Sequence, residues 1–298
     1  MGNLCFLTDN LDMPNYLDSP SYYKFREFPL AFNGKQIHSN YLFWILYNNN
    51  ISNIRLIDNE KCLNDSDIVF FHYDVKDKLN FNRPYKKIQI LSDKPRVKGV
   101  DAYCVNSKCY IEENIDFILN EPLPLGLTKV TPSWPPNIFH CNCYKHWIPD
   151  CFNENLYKKI NFNITFENNR HVSICKYDVF FFLRNLNVLS KKDEDGQNTH
   201  LPPIRKHANR LIQSWIMGVP GIFSYNPAIQ ELRETDYDYL EANDEYEFIE
   251  CSNRLIRDKD LFYKIILNGE KRKTNFSNSI IINQIKHIAD HFSVSAYK

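Results

Sequence analysis

Short, largely apolar runs, each closed off by a polar break, recur along this chain. They are Ile54 to Ile57, Asp67-Ile68-Val69-Phe70-Phe71, Lys87 to Leu91, Ala102 to Val105 and Phe180-Phe181-Phe182-Leu183. A strand wetted on one face alternates apolar and polar residues. An unbroken apolar run such as Ile68 to Phe71 or Phe180 to Leu183 needs cover on both faces, which is the situation of a strand in a parallel sheet flanked by helices. The chain is therefore expected to be an α/β protein. In the first half the runs come one after another with little room for long helices, so that half reads as a reduced Rossmann-like domain.

Other elements fall around these runs. Asn3 to Leu7 reads as a first strand whose polar loop carries Asp9, and 36–47 as a buried or amphipathic helix. In the second half, 162–166 and 177–183 read as strands, the latter central, and 237–240 as the last strand. Residues 245–257 and 260–268 have helical spacing, with Gly269 as a stop, and 277–291 forms a final helix. Residues 121–149 hold six prolines, which marks an interdomain connection. The expected domains are 1–149 and 150–298.

Composition excludes several classes. The chain has 298 residues, 43% of them apolar, enough for a sizeable core. Its 36 acids balance 36 bases, and a duplex-binding protein usually carries a basic excess, so no stable nucleic-acid binding is expected. No run of 18 apolar residues occurs, so no membrane span is expected. Nine cysteines without a regular framework and no recognisable leader suggest reduced thiols and a cytoplasmic location. Four of the potential soft ligands, His140, Cys141, Cys143 and His146, fall close together with Cys151 beyond. However, Cys-x-Cys spacing suits a structural zinc site poorly, and buried thiols in a loop are the plainer reading.

The stretch most informative about chemistry runs Arg205-Lys206-His207-Ala208-Asn209-Arg210-Leu211-Ile212-Gln213-Ser214-Trp215-Ile216-Met217-Gly218-Val219-Pro220-Gly221-Ile222-Phe223. It reads as a basic helix start, an amphipathic helix, a tight glycine turn and a short apolar strand. Glu231 comes next, at the head of another helical run. Free N–H groups and the macrodipole at a helix N-terminus favour anions, and the cations beside them suit a diphosphate.

This order of basic residue, helix, Gly-x-Pro turn, strand and downstream Glu resembles the donor-binding half of GT-B glycosyltransferases, over about 162–291. The resemblance implies two Rossmann-like domains facing a central cleft. The N-terminal domain would hold the acceptor and the C-terminal one the nucleotide-sugar donor, with the final helix crossing back between them. It implies transfer of a sugar from a nucleotide-diphosphate donor to a hydroxyl, without a metal or other cofactor, in surface glycan synthesis. A lipid-linked acceptor would bring the protein to a membrane surface peripherally. Arg184, Arg205, Lys206, Asn209 and Arg210 would meet the diphosphate, and Glu231 and Glu234 a donor hydroxyl. Many members carry a ribose-binding carboxylate where this chain has Gln213, and Arg205 stands where retaining members have Glu. The donor and the stereochemical outcome are therefore open.

In the first half, Ser92-Asp93-Lys94-Pro95-Arg96 comes directly after a strand. Asp93 would be the general base, Lys94 and Arg96 would meet an anionic acceptor, and Asp9 is the rival base. The alternative is a solvated turn whose ion pairs contribute under ~1 kcal/mol. His72, at the end of a strand, reads as a satisfied core histidine. Two rival functions stay open: a DNA-modifying glycosyltransferase, and a non-catalytic nucleotide-binding or scaffold protein.

Overall fold

A computed structural model of the chain describes residues 2–9, 37–91, 95–112, 114–120, 129–141, 162–166, 177–183 and 207–295. They fall into two compact units. The first takes the described residues up to 120 and the final helix, from 277 on; the second takes 129–276. The expected boundary at 149/150 thus falls inside the second unit, and the proline-containing segment 129–137 belongs to that unit as well.

The first unit is a six-stranded sheet built from β1 (Leu4–Leu7), β2 (Ile54–Ile57), β3 (Ile68–His72), β4 (Lys86–Ile90), β5 (Ala102–Val105) and β6 (Asp116–Ile118). The order is β2-β1-β3-β4-β5-β6 and every pairing is parallel. Both faces of β3 are buried, as its unbroken apolar run requires. Phe6 stacks on Phe70 at 5.2 Å, while Val69 and Phe71 face the cluster of Leu63, Val75 and Tyr85. Short 3-10 segments at Glu60–Cys62, Tyr73–Lys78 and Lys108–Tyr110 occupy the places where a full Rossmann domain has helices. Among the described residues its α-helices are α1 (Leu42–Asn48), which continues a π-turn at Ile37–Tyr41, and the final helix.

The second unit has β7 (Ile138–Cys141), β8 (Asn163–Phe166), β9 (Val179–Phe182), β10 (Gly221–Phe223) and β11 (Leu240–Glu241) in the order β11-β10-β9-β7-β8, again all parallel. The Phe-rich strand β9 is central, as its composition predicts. Around it lie α2 (Asn209–Met217), α3 (Pro227–Glu231), α4 (Glu245–Arg257) and α5 (Lys259–Arg272); α6 (Asn278–Ser295) closes the chain in the first unit. The core joins Phe139, Phe181, Ile222 and Leu240 of the strands to Phe248, Leu255, Phe262 and Ile265 of α4 and α5. Gly218 ends α2 with φ 72°, a conformation that glycine adopts without a Cβ clash, and the N–H of Val219 returns to Ser214 at 3.1 Å.

Two local expectations are corrected. Gly269 does not stop a helix but lies inside α5, where a Cβ would come within 2.8 Å of the Trp215 ring. The glycine lets α5 approach α2 closely, and packing outweighs its poor helix propensity. The last strand is only Leu240–Glu241, because Asp238 is drawn into a turn: its Oδ2 accepts from the N–H groups of Glu234 and Thr235, both at 2.7 Å.

Asp238 is one of five carboxylates placed at the amino ends of parallel strands. Asp67, before β3, accepts from the N–H groups of Asn3 and Asn64. Asp101, before β5, accepts from Lys87 N–H, and Asp116, opening β6, from Glu112 N–H. Asp178, before β9, accepts from the N–H groups of Ser133 (2.6 Å), Asn137 (2.9 Å) and Ile138 (3.0 Å). Asp178→Ala leaves three donors without acceptors and is expected to lower stability by ~2–4 kcal/mol, read as a drop in urea midpoint. Gly269→Ala is expected to destabilise by about 1 kcal/mol net in the same assay. Overpacking against Trp215 exceeds the gain in helix propensity.

Candidate functional site

In open parallel sheets ligands sit at the carboxyl ends of the strands, where helix N-termini gather. In the second unit that edge is built by the ends of β9, β10 and β11. Helix α2 runs back from it, and the Arg210 guanidinium in its first turn lies 5.5 Å over the Phe182 ring at the end of β9. Arg210 also donates to Gln213 Oε1 at 3.3 Å. Helix α2 has Ala208 at its N-cap and no side-chain cap bond, unlike α3, α4 and α5, which Asn226, Asp244 and Asp258 cap. A cation and the positive end of a helix dipole thus meet over an apolar floor, an arrangement that favours an anion.

Beyond β10 the chain runs through buried Ser224, exposed Tyr225 and Asn226, whose Oδ1 accepts from Ala228 N–H at 2.9 Å. Beyond β11, Asn243 accepts from Tyr225 N–H at 2.7 Å, and its own N–H donates to Glu247 at 2.6 Å. Glu241 joins the two loops. Its carboxylate accepts from Tyr239 O–H at 3.2 Å, from the Asn243 amide at 3.2 Å and from the Gln230 amide. Arg233 lies 3.5 Å from the same carboxylate and 4.9 Å over the Tyr239 ring. Burial, and then the Glu241 charge, push the Tyr239 hydroxyl above the usual tyrosine range, which keeps it a donor.

The structure separates the sequence-predicted residues. Asn209, Arg210 and Gln213 come together on α2. Gln213 is 4% exposed and holds Arg210. Glu231 is not at the head of a helix but at the end of α3, which leads away from the carboxyl edge. Glu234 lies at the opposite edge, beside Asp238, where its carboxylate pairs with Arg272. Arg184, Arg205 and Lys206 lie outside the described residues. Sequence reasoning misses Glu241, although a carboxylate that directly ends a strand and precedes an Asn-Asp helix start is a readable signal.

In the first unit Asp9 is exposed at the carboxyl end of β1, the edge expected of it. Asp93 and Lys94 lie outside the described residues. Arg96 is drawn to the amino end of β6, where it makes two 2.7 Å bonds to Asp116 and lies 4.4 Å over the Tyr103 ring. A guanidinium held on two sides in this way ties the segment 95–101 to β6. His72 is buried and its Nδ1 accepts from Asp74 N–H at 3.3 Å, a capped core histidine.

Among the described residues no group of three His, Cys, Asp or Glu converges. The chain contains four D-x-D triplets. Asp193-Glu194-Asp195 lies outside the described residues, Asp258 of Asp258-Lys259-Asp260 caps α5, and the other two are Asp65-Ser66-Asp67 and Asp236-Tyr237-Asp238. The second carboxylate of each of these last two is a buried acceptor for backbone N–H groups. His140 of the Cys/His run is buried in the sheet, bonded to Thr165 at 3.1 Å and stacked on Tyr177 at 4.8 Å. Cys143, His146 and Cys151 lie outside the described residues.

No family model matches the sequence, and no curated protein matches it. Solved structures do. HepE from Anabaena, in complex with UDP and glucose, aligns over 98% of this chain and 100% of its own with a TM-score of 0.58 at 10% identity. Sucrose-phosphate synthase from Thermosynechococcus elongatus aligns over 76% of this chain and 74% of its own, TM-score 0.52 at 11% identity. The GtfA/B complex gives 0.51 at 9% identity; the match takes in 78% of this chain but only 58% of that one. The chain has the α/β fold of GT-B glycosyltransferases.

Removing Glu241 tests whether it organises the carboxyl edge. Glu241→Ala is expected to lower stability by ~1–3 kcal/mol in urea melts, since its partners lose their acceptor while its 24% exposure lets water replace part of it.

Proposed function

We propose that this chain is a glycosyltransferase that takes a sugar from a nucleotide-diphosphate donor bound at the carboxyl edge of the second unit. The observation that carries this reading is the end-to-end likeness to HepE, itself in complex with UDP and glucose. The same edge in this chain offers a cation and an uncapped helix N-terminus. Arg210 and the first-turn N–H groups of α2 would take the diphosphate, with Asn209 beside them and Arg184, Arg205 and Lys206 as further candidates. Fixed positive groups aimed at a departing diphosphate stabilise the charge that develops as the glycosidic bond breaks. This needs no metal in principle.

Gln213 would orient Arg210, and a neutral amide would hold a ribose hydroxyl more weakly than a carboxylate. Asp9, exposed at the carboxyl edge of the first unit, is the described candidate for taking the acceptor proton; Asp93 is the other. A saccharide hydroxyl is the proposed acceptor. A role in surface glycan synthesis rests on family analogy alone. No described helix is long and apolar enough to cross a membrane, so a lipid-linked acceptor would be met at a membrane surface.

A scaffold that binds nucleotide without turnover is the second reading, favoured by Gln213 in place of a carboxylate. Thermal shift against UDP, GDP, CDP and ADP, followed by transfer assays with the matching sugar nucleotides, separates the two. A nucleotide at about 100 times its Kd adds about 2.7 kcal/mol, seen as several degrees in Tm. Arg210→Ala is expected to weaken that nucleotide about tenfold or more, roughly 1.4 kcal/mol. If no nucleotide stabilises the wild type, the donor assignment fails. If one does and no sugar nucleotide turns over, the scaffold reading takes its place.

A further inference from the structure

Helix α6 returns to the first unit and presents one polar-aromatic stripe to β6. Gln284 accepts from Asn120 N–H at 2.9 Å just beyond the strand. One and two turns further on, His287 and His291 both meet Phe117. Their ring centroids lie 6.2 and 5.1 Å from the phenyl centroid, at interplanar angles of 66° and 67°. Two imidazoles on one face of the helix therefore both contact the same phenyl ring.

Both histidines are exposed, and among the described residues neither has a hydrogen-bond or ion-pair partner. They are four positions apart, which sets their Cβ atoms about 5–6 Å from one another. This is the separation at which two helical histidines share one metal ion. Phe117 supplies an apolar wall that limits the rotamers open to each ring. Asp290 stands between them in sequence but completes no three-residue group.

The geometry points to a divalent-metal site at His287 and His291. Each imidazole gives one nitrogen to a single borderline ion such as zinc, copper or nickel, and water fills the remaining positions. The site is structural in kind: the ion would link consecutive turns of α6 beside β6. It does not depend on the transferase reading, and it lies in the unit that does not hold the proposed donor edge.

Zinc titration of the full chain by calorimetry tests it, with wild type, His287→Asn, His291→Asn and the double variant compared. The Cys/His run at 140–151 is common to all four, so any uptake there cancels. Wild type is expected to take up one zinc ion per chain more than the double variant, and either single variant is expected to lose that uptake. Equal uptake by wild type and double variant overturns the site, as does full uptake by either single variant. A second readout needs no variant to fold: in wild type the ring NMR signals of His287 and His291 should move together and saturate at the same zinc ratio. Movement of only one, or of neither, also overturns it.

Discussion

Everything in both units depends on strands that pair only in parallel. Parallel pairing forces each chain segment to cross from one end of the sheet to the other before the next strand begins. The two ends of the sheet therefore acquire different chemistry. At the amino ends, backbone N–H groups of incoming loops and strands need acceptors where water has little access. Asp67, Asp101, Asp116, Asp178 and Asp238 meet that need, each at the start of a strand. The acceptors are consumed in building the sheet, which is why these carboxylates are poor candidates for catalysis.

The carboxyl ends are the opposite case. Helices begin there, and their positive ends converge with side chains that the sheet itself does not require. Arg210 over Phe182 illustrates this. The guanidinium gains an aromatic floor and an amide partner at a helix start. Arg96 shows the contrast. It has the same side chain, but Asp116 and Tyr103 hold it at the amino edge. Identical residues differ in their surroundings because of which end of a parallel strand they reach.

The fold is legible in the sequence because burial on both faces leaves a direct compositional trace. The run Phe180 to Leu183 could only be a central strand, and it is one. The turn at Gly218 is equally readable, since positive φ favours glycine. The site is less legible. Residues 205–217 read as a basic helix start, yet local patterning misplaces Glu231 and Glu234 because the path between β10 and β11 is set by a long-range carboxylate. Asp238 gathers the turn at 234–238, ties it to Asn268 of α5 and shifts the last strand to Leu240–Glu241. Nothing in local periodicity reports such a bond. Once the strand moves, Glu241 rather than Glu231 stands at its carboxyl end.

Gly269 carries the same lesson from the packing side. Read along the chain, a glycine after a helical run is a stop signal. In three dimensions its missing Cβ makes room for Trp215, whose indole N–H donates to the Asp238 carbonyl at 3.0 Å. Arg272, one turn further along α5, lies 5.4 Å over the same indole and pairs with Glu234. A void of one methyl group in α5 thus lets α2, the turn before β11 and α5 share a single buried tryptophan. Helix α2 is fixed at its carboxyl half by this contact, so its first turn, with Arg210, is held over the end of β9. The anion-facing end of the helix is positioned by packing at the other end, and no local sequence rule could have connected Gly269 to Arg210.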